Sequence, residues 1–267
     1  AAETLPLPPS DVDLVGPIQV VTARYEDTLL DIARRGGLGY SEIKMANRGV
    51  DPWMPGEGRQ VVLPTQHILP QAPREGIVIN LPEMRLYYFA TTGAKTKVLT
   101  FPIGIGDPSF PTPTGTYRIT SKEVNPTWNI PPSLQKKHQG KTIPAGPDNP
   151  LGSHWMRLGN SMYGIHGTNF PWSVGRQATH GCIRLYPEDI LRLFPVVAQG
   201  TPVKLIYQPV KLAIVNGRIF IEIHQDVYQL YGNLSAYTEK LLAAKNIDHL
   251  IDRGRLARAV IERHGMP

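Results

Sequence analysis

The sequence predicts a mainly β fold with some α: a sandwich or barrel of short strands, preceded by a small β-α-α-β unit and followed by a hairpin and short helices. Three observations predict it. From Ile77 onward, strand-like runs recur (IVIN, MRLYYFA, KVLTFPIGIG, TGTYRITSKEV, SMYGIHG, CIRLY, TPVKLIYQPV), separated by Gly, Pro and Asn. The 26 prolines and 25 glycines in 267 residues favour many turns over a helix bundle. Helical spacing is confined to short stretches near the start, to PEDILRLFPVV, and to the C-terminal tail.

Residues 1–17 are rich in proline and are expected to be extended. Residues 18–64 read as a compact unit. IQVVTARYEDT begins as a strand, and TLLDIARR puts Leu29, Ile32 and Ala33 on one helical face. Asp27 or Thr28 is the expected N-cap, and Gly36-Gly37 the stop. SEIKMANR reads as a second helix capped by Ser41 and ending near Asn47, and PGEGRQVVLP supplies a turn and a closing strand. This order, with EDTLLDIA, IKMAN, PG and VVLP in sequence, resembles a LysM module. The resemblance implies binding to the N-acetylglucosamine of peptidoglycan or chitin. Glu26 stands where that family commonly carries glycine, and a small packing unit that binds no sugar fits the same pattern.

LPTQHILPQAP opens an expected linker over residues 65–76, and the β series fills residues 77–210. Within it, the stretch from Pro126 to Gly152 is long, rich in proline and poor in strand pattern, as lids and disordered loops are. Pro187 suits the first turn of the PEDILRLFPVV helix. Residues 211–267 start with KLAIVNGRIFIEIH, a hairpin with Asn-Gly at its tip, and continue into two helices at roughly 234–245 and 247–264.

Composition narrows the partners. No apolar run approaches the roughly 18 residues that a membrane span requires. Lys and Arg number 28 against 22 Asp and Glu, a net charge of +6 that suits an anionic partner such as nucleic acid, acidic lipid or a cell-wall polymer. The densest basic patches, KKHQGK and DRGRLARAVIERHG, lack the interleaved aromatics of a single-strand binder, so nucleic acid is not the expected partner. The start, AAETLPLPPSDVD, has no initiator methionine, basic n-region or apolar h-region, and reads as a mature chain after removal of a signal peptide.

Cys182 is the only cysteine, which excludes an intramolecular disulfide and a multi-thiolate metal site. Its surroundings are His166-Gly167-Thr168-Asn169, a loop, then Thr179-His180-Gly181-Cys182-Ile183-Arg184. A buried structural thiol is one reading, although flanking His, Gly and Arg are poor partners for an apolar core. A zinc site from His166, His180 and Cys182 is a second, but no C-x-x-C or H-E-x-x-H spacing supports it. The third is a nucleophile. Only a thiolate attacks, and a neighbouring imidazole can take its proton. His166 ends one strand-like run and Cys182 begins the next, so neighbouring strands can bring them together. A backbone carbonyl such as that of Gly167 can orient the imidazole. Gly181 gives backbone freedom, and the Cys182 N–H is a natural oxyanion donor. His180 alone reads as a hydrogen-bonding structural histidine.

YGIHGTNFPWSVGRQATHGCIRL closely resembles the signature of the L,D-transpeptidase (YkuD/ErfK) family, and PIGIG, PTPTGTYRI, NPTWNIPPS, PAGPDNPLG and GTPVKLI match in order over about residues 75–210. Thr179 replaces the usual serine and keeps the hydroxyl. The combination with the N-terminal unit is most similar to the type that attaches Braun's lipoprotein to peptidoglycan. The resemblance implies a YkuD-type β-sandwich or barrel and no metal or cofactor. It implies that Cys182 attacks the diaminopimelate carbonyl of a tetrapeptide stem, expels D-alanine, and passes a thioester to an amine. That amine is the C-terminal lysine of an outer-membrane lipoprotein or a second diaminopimelate; a hydrolytic member would use water. His166 would be base and acid, the Gly167 carbonyl its orienter, and the Gly181 and Cys182 N–H groups the oxyanion hole. Arg184 would bind an anionic part of the stem, with loop bracing as its other reading. His180 and Thr179 would brace the loop, while Tyr163, Trp128, Asn149 and Gly152 are candidate substrate contacts. A periplasmic location and capture of carbapenems by Cys182 follow from the same resemblance. A non-catalytic wall-binding protein is the competing class, and the intact His166–Cys182 pair argues against it.

Overall fold

The computed structural model describes residues 3–92 and 95–267. Among these the fold is mainly β with a few short helices. One nine-stranded mixed sheet forms its centre. In chain order its strands are β1 (Glu3–Pro6), β2 (Gly76–Asn80), β3 (Arg85–Thr92), β4 (Lys95–Pro102), β5 (Gly115–Val124), β6 (His154–Leu158), β7 (Gly164–His166), β8 (Ile183–Arg184) and β9 (Pro202–Ile206). They lie side by side as β1-β4-β3-β2-β9-β5-β6-β7-β8. Neighbours are antiparallel except β2 with β9 and β7 with β8. Every strand from β2 to β9 sends an apolar side chain into one core, including Ile77, Leu86, Phe101, Ile119, Met156, Ile165, Ile183 and Val203. A flat sheet cannot do that, so the sheet curls around this core. A bulge between Ile119 and Ser121 bends β5, whose first half pairs with β9 and second half with β6.

Alternation along β2 to β4 leaves Val78, Tyr87, Phe89 and Val98 on the outer face. That apolar surface needs a cover, and the N-terminal segment provides it. β1 adds to the sheet edge, Leu5 and Leu7 pack on the outer face, and Leu14–Val15 pairs with His67–Ile68. The stretch read as a linker is therefore packed: Ile68 and Leu69 are fully buried.

Between these segments, Gln19–Thr22 pairs antiparallel with Gln60–Leu63 and encloses helices α1 (Leu29–Arg35) and α2 (Tyr40–Ala46) around Leu29, Ile32, Leu38, Ile43 and Val61. Thr28 caps α1 in a capping box with Asp31. The cap of α2 is Gly39, not Ser41: the Glu42 carboxylate accepts from the Gly39 N–H at 2.7 Å, and the Ser41 hydroxyl instead donates to Gly175 O at 2.6 Å.

Residues 126–152 are more ordered than their sequence suggested. They form a two-stranded ribbon, Trp128–Asn129 with Thr142–Ile143, around helix α3 (Pro132–His138), none of whose residues is buried. Helix α4 (Pro187–Leu193) starts with Pro187 in its first turn and packs Ile190 and Leu193 into the main core. The C-terminal hairpin, Val210–Val215 with Arg218–Ile223, turns at Asn216-Gly217 and packs on helices α5 (Leu234–Ala244) and α6 (Arg253–Glu262). No helix among the described residues is long and apolar enough to cross a membrane.

Candidate active site

The site lies where β6, β7 and β8 meet. Trp155 stands opposite His166, Ile165 opposite Ile183, and His166 opposite Arg184. Ile165 and Ile183 point into the core, so by alternation Gly164, His166, Arg184 and, one residue back, Cys182 share the other face. Cys182, the residue before β8, thus lies beside Gly164, whose N–H reaches its sulfur, on the face that carries His166. This register brings together the two residues that the sequence separates by a loop.

His166 is 2% exposed, and its ring stacks on Trp155 with centroids 5.8 Å apart. Its Nδ1 lies 2.5 Å from the Gly167 carbonyl oxygen. A carbonyl only accepts, so Nδ1 carries the proton and Nε2 keeps a free lone pair. Burial, and then the Arg184 guanidinium, push the imidazole down to about 3, and the carbonyls of Gly167 and Leu151 offset only part of this. Cys182 is half-buried. Enclosure of its sulfur pushes the thiol up to about 11, against smaller downward pulls from the Gly164 N–H and Arg184. The residue's exposed edge tempers that shift without reversing it. The pair therefore rests as a neutral thiol and a neutral imidazole.

The turn before Cys182 is held from several sides. Gly181 adopts φ +103°, and a Cβ there would fall 2.4 Å from Tyr163 Cε1, so only glycine fits beneath that ring. Thr179 Oγ1 donates to Cys182 O at 2.7 Å and accepts from the Gly181 N–H at 3.2 Å. This corrects one expectation: the Gly181 amide folds back onto Thr179 and is not free to serve as an oxyanion donor. The Cys182 N–H has no acceptor among the described residues. His180 stacks on Phe110 at 4.3 Å, and with His166 and Cys182 it forms no ligand cluster among the described residues.

Arg184 donates from Nη1 to Ser173 Oγ at 2.9 Å, while its Nε is buried without a partner. The lid residues behave differently from the expectation that they touch substrate. Asn149 is fully buried, with Nδ2 donating to the carbonyls of Pro126, Ile143 and Pro144 and Oδ1 accepting from Leu151 N. Its amide is spent stapling the lid base, which corrects its reading as a substrate contact. Gly152 packs against the Gly167–Thr168 backbone, where a Cβ would meet Thr168 N at 2.6 Å. Trp128 stacks edge-on against His138 within its own ribbon.

The sequence reading missed Trp155, Ser173 and Thr112. Trp155 lies within a strand whose alternation is visible in HWMRL, but its place opposite His166 is a matter of register. Among the described residues, the metal-capable group is Glu83, Glu222 and His224. Lys211 Nζ already sits between its carboxylates, at 2.5 Å from Glu83 and 2.8 Å from Glu222, so the cation there is the lysine.

Comparison with known proteins agrees with this geometry. The model of the YkuD family, the L,D-transpeptidase catalytic domain, matches residues 74–205. "Probable L,D-transpeptidase YcfS" of Escherichia coli K12 is 39% identical over 236 residues, covering 84% of this chain and 73% of that protein. "Probable L,D-transpeptidase ErfK/SrfK" of the same strain is 36% identical, covering all of this chain and 90% of that one. "Probable L,D-transpeptidase YbiS" is likewise 36% identical, covering all of this chain and 92% of that one. With relatives 36–39% identical matched over 73–92% of their own length, the chain belongs to the YkuD family of L,D-transpeptidases.

Proposed function

We propose that this enzyme uses Cys182 to cleave the meso-diaminopimelate–D-alanine bond of peptidoglycan tetrapeptide stems and passes the stem to the C-terminal lysine of an outer-membrane lipoprotein. The observation that carries the chemistry is the parallel register that sets Cys182 on the face that carries His166, whose Nδ1 is pinned by the Gly167 carbonyl.

Because both groups rest neutral, the proton leaves Sγ for His166 Nε2 as sulfur adds to the carbonyl carbon. The Cys182 N–H would receive the developing oxyanion. On collapse the C–N bond breaks, His166 returns the proton to the departing D-alanine nitrogen, and a thioester remains. The acceptor amine then attacks that thioester, giving its proton to His166. The C–S bond breaks as the new amide forms, and His166 passes that proton to the departing sulfur, restoring the thiol. Arg184, with a buried unpartnered Nε, suits an anionic group of the stem. Tyr163, over the Gly181 turn, would wall the acyl site. His180 and Thr179 brace it.

The Gln19–Leu63 unit would hold wall glycan through exposed Tyr25, Trp53 and Met54. Together these roles imply a periplasmic enzyme. Incubating the protein with tetrapeptide muropeptides, with and without a peptide ending in lysine, tests the reading by mass spectrometry. Loss of D-alanine with a lysine adduct is expected, and Cys182→Ala should abolish both. Dimeric stems would point instead to 3→3 crosslinking, and free tripeptide to hydrolysis. No loss of D-alanine under any condition would overturn the enzymatic reading.

A further inference from the structure

We propose that Thr112, held in turn by Tyr228, is the positioning residue that aims the Cys182 N–H at the oxyanion. The inference rests on the reading of Cys182 as nucleophile and adds residues to which that reading gives no role.

Thr112 follows the second edge of the site, in the loop after Ile105–Gly106. Its hydroxyl accepts from the Gly106 N–H at 2.9 Å and donates to the Gly181 carbonyl at 2.9 Å. The direction of both bonds is forced, because an amide can only donate and a carbonyl only accept. A hydroxyl has one proton, and Thr112 spends it on Gly181 O. The Gly181–Cys182 peptide is planar and trans, so its C=O and N–H point in opposite directions. Fixing the carbonyl toward Thr112 therefore fixes the Cys182 N–H away from it, on the open side of the turn. On the other side of the Cys182 Cα, Thr179 Oγ1 holds the Cys182 carbonyl. The two threonines pin the two peptides that flank the nucleophile. Without Thr112 the Gly181–Cys182 peptide loses the bond to its carbonyl, while Thr179 still holds the Gly181 N–H and the Cys182 carbonyl on either side, and that peptide can rotate about Gly181, whose missing Cβ offers little resistance.

Tyr228 holds Thr112 by the same logic. Its hydroxyl accepts from the Thr112 N–H at 3.1 Å and donates to Gly106 O at 2.7 Å, closing the 106–112 loop. The Tyr228 N–H donates to Tyr207 Oη at 2.8 Å, and Tyr207 donates to Asp226 Oδ1 at 2.5 Å. Gln177, two residues before Thr179, donates to Val227 O at 3.0 Å. The segment that follows the C-terminal hairpin thus reaches the nucleophile's turn from behind. This gives the C-terminal region a part in the chemistry.

An alignment role and a merely structural one are separable. Alkylation of Cys182 by iodoacetamide develops no oxyanion, whereas acyl transfer does. In the full chain, Thr112→Val should lower kcat for D-alanine release about tenfold to a hundredfold with KM little changed, since a misaimed donor loses transition-state binding. The alkylation rate at the same pH should stay within about twofold, because the thiol itself is untouched. Thr112→Ser should restore most of kcat. Tyr228→Phe keeps the ring's packing, should give a smaller loss of the same kind, and carries the test if Thr112→Val does not fold. Wild-type kcat in both Thr112→Val and Tyr228→Phe would overturn the proposal. So would parallel loss of alkylation and turnover. If the wild type releases no D-alanine, the nucleophile reading itself fails, a result distinct from either.

Discussion

At Cys182 the thiol keeps its proton, and at His166 Nε2 stays unprotonated, because burial penalises the charged form of each and the nearby Arg184 opposes only the first effect. The two groups therefore hold no standing thiolate–imidazolium ion pair. Reactivity toward a simple alkylating agent then tracks the small thiolate fraction. The iodoacetamide rate should rise about tenfold per pH unit from pH 6 to 9, with no plateau. A flat profile near neutrality would show a thiolate–imidazolium pair and refute the neutral resting state. Asn149 carries a second lesson at this scale. A polar residue beside a catalytic motif looks like a ligand contact until its four hydrogen bonds to lid backbone are seen. Sequence gives residue type, but which groups satisfy it depends on the chain's return path.

Among the elements, the small N-terminal unit is fastened to the catalytic sheet rather than tethered to it. Arg85 on β3 is 1% exposed and donates to both oxygens of Glu42 on α2, to Gly37 O and to Thr100 Oγ1. Tyr186 donates to Leu38 O, and Arg34 forks onto Glu188. α2 begins against the loop that leads to Cys182: Tyr40 N and Ser41 N donate to Val174 O and Gly175 O, and Gly39 packs so closely on Gly175 that a Cβ would lie 2.6 Å from its Cα. The buried pair is a sensitive point. Arg85→Met would strand the Glu42 carboxylate and should cost about 3–5 kcal/mol in urea unfolding, while Arg85→Met with Glu42→Leu should recover much of it. Equal losses in the single and double variants would show that the pairing is not what matters.

For the whole molecule, acid is the weak direction. His67 and His166 are buried and held neutral, His67 well below its ordinary value by burial and by Arg85, and His166 near 3. In the unfolded chain both titrate near 6.5. Below that value the unfolded state binds more protons than the folded one, so stability falls as pH drops toward 3. Two such groups give a slope of about 2.7 kcal/mol per pH unit around pH 5. Glu222 acts in the same sense lower down: burial alone would raise it, but Lys211 and His224 bring it to about 2, so its contribution is lost as pH falls from 4.5. Urea unfolding at pH 7, 6 and 5 should show stability declining increasingly steeply, and a constant stability across that range would refute the buried neutral histidines.

Much of this protein was legible in its residues alone. Strand alternation, turn residues and helix caps follow local rules, so the mainly β class, a helix cap at Asp27 or Thr28 and the Asn216-Gly217 turn could be read without coordinates. The tertiary structure decided what depends on segments far apart in sequence. The prolines of the expected linker gave no sign that Val78, Tyr87, Phe89 and Val98 would need covering. Nothing near Gly181 indicated that its N–H would turn to Thr179 or that its carbonyl would be held by Thr112. The reason is physical: local conformation is set by each residue's own sterics, whereas a hydrogen bond's direction and a buried charge's partner are set by whichever distant chain arrives beside them.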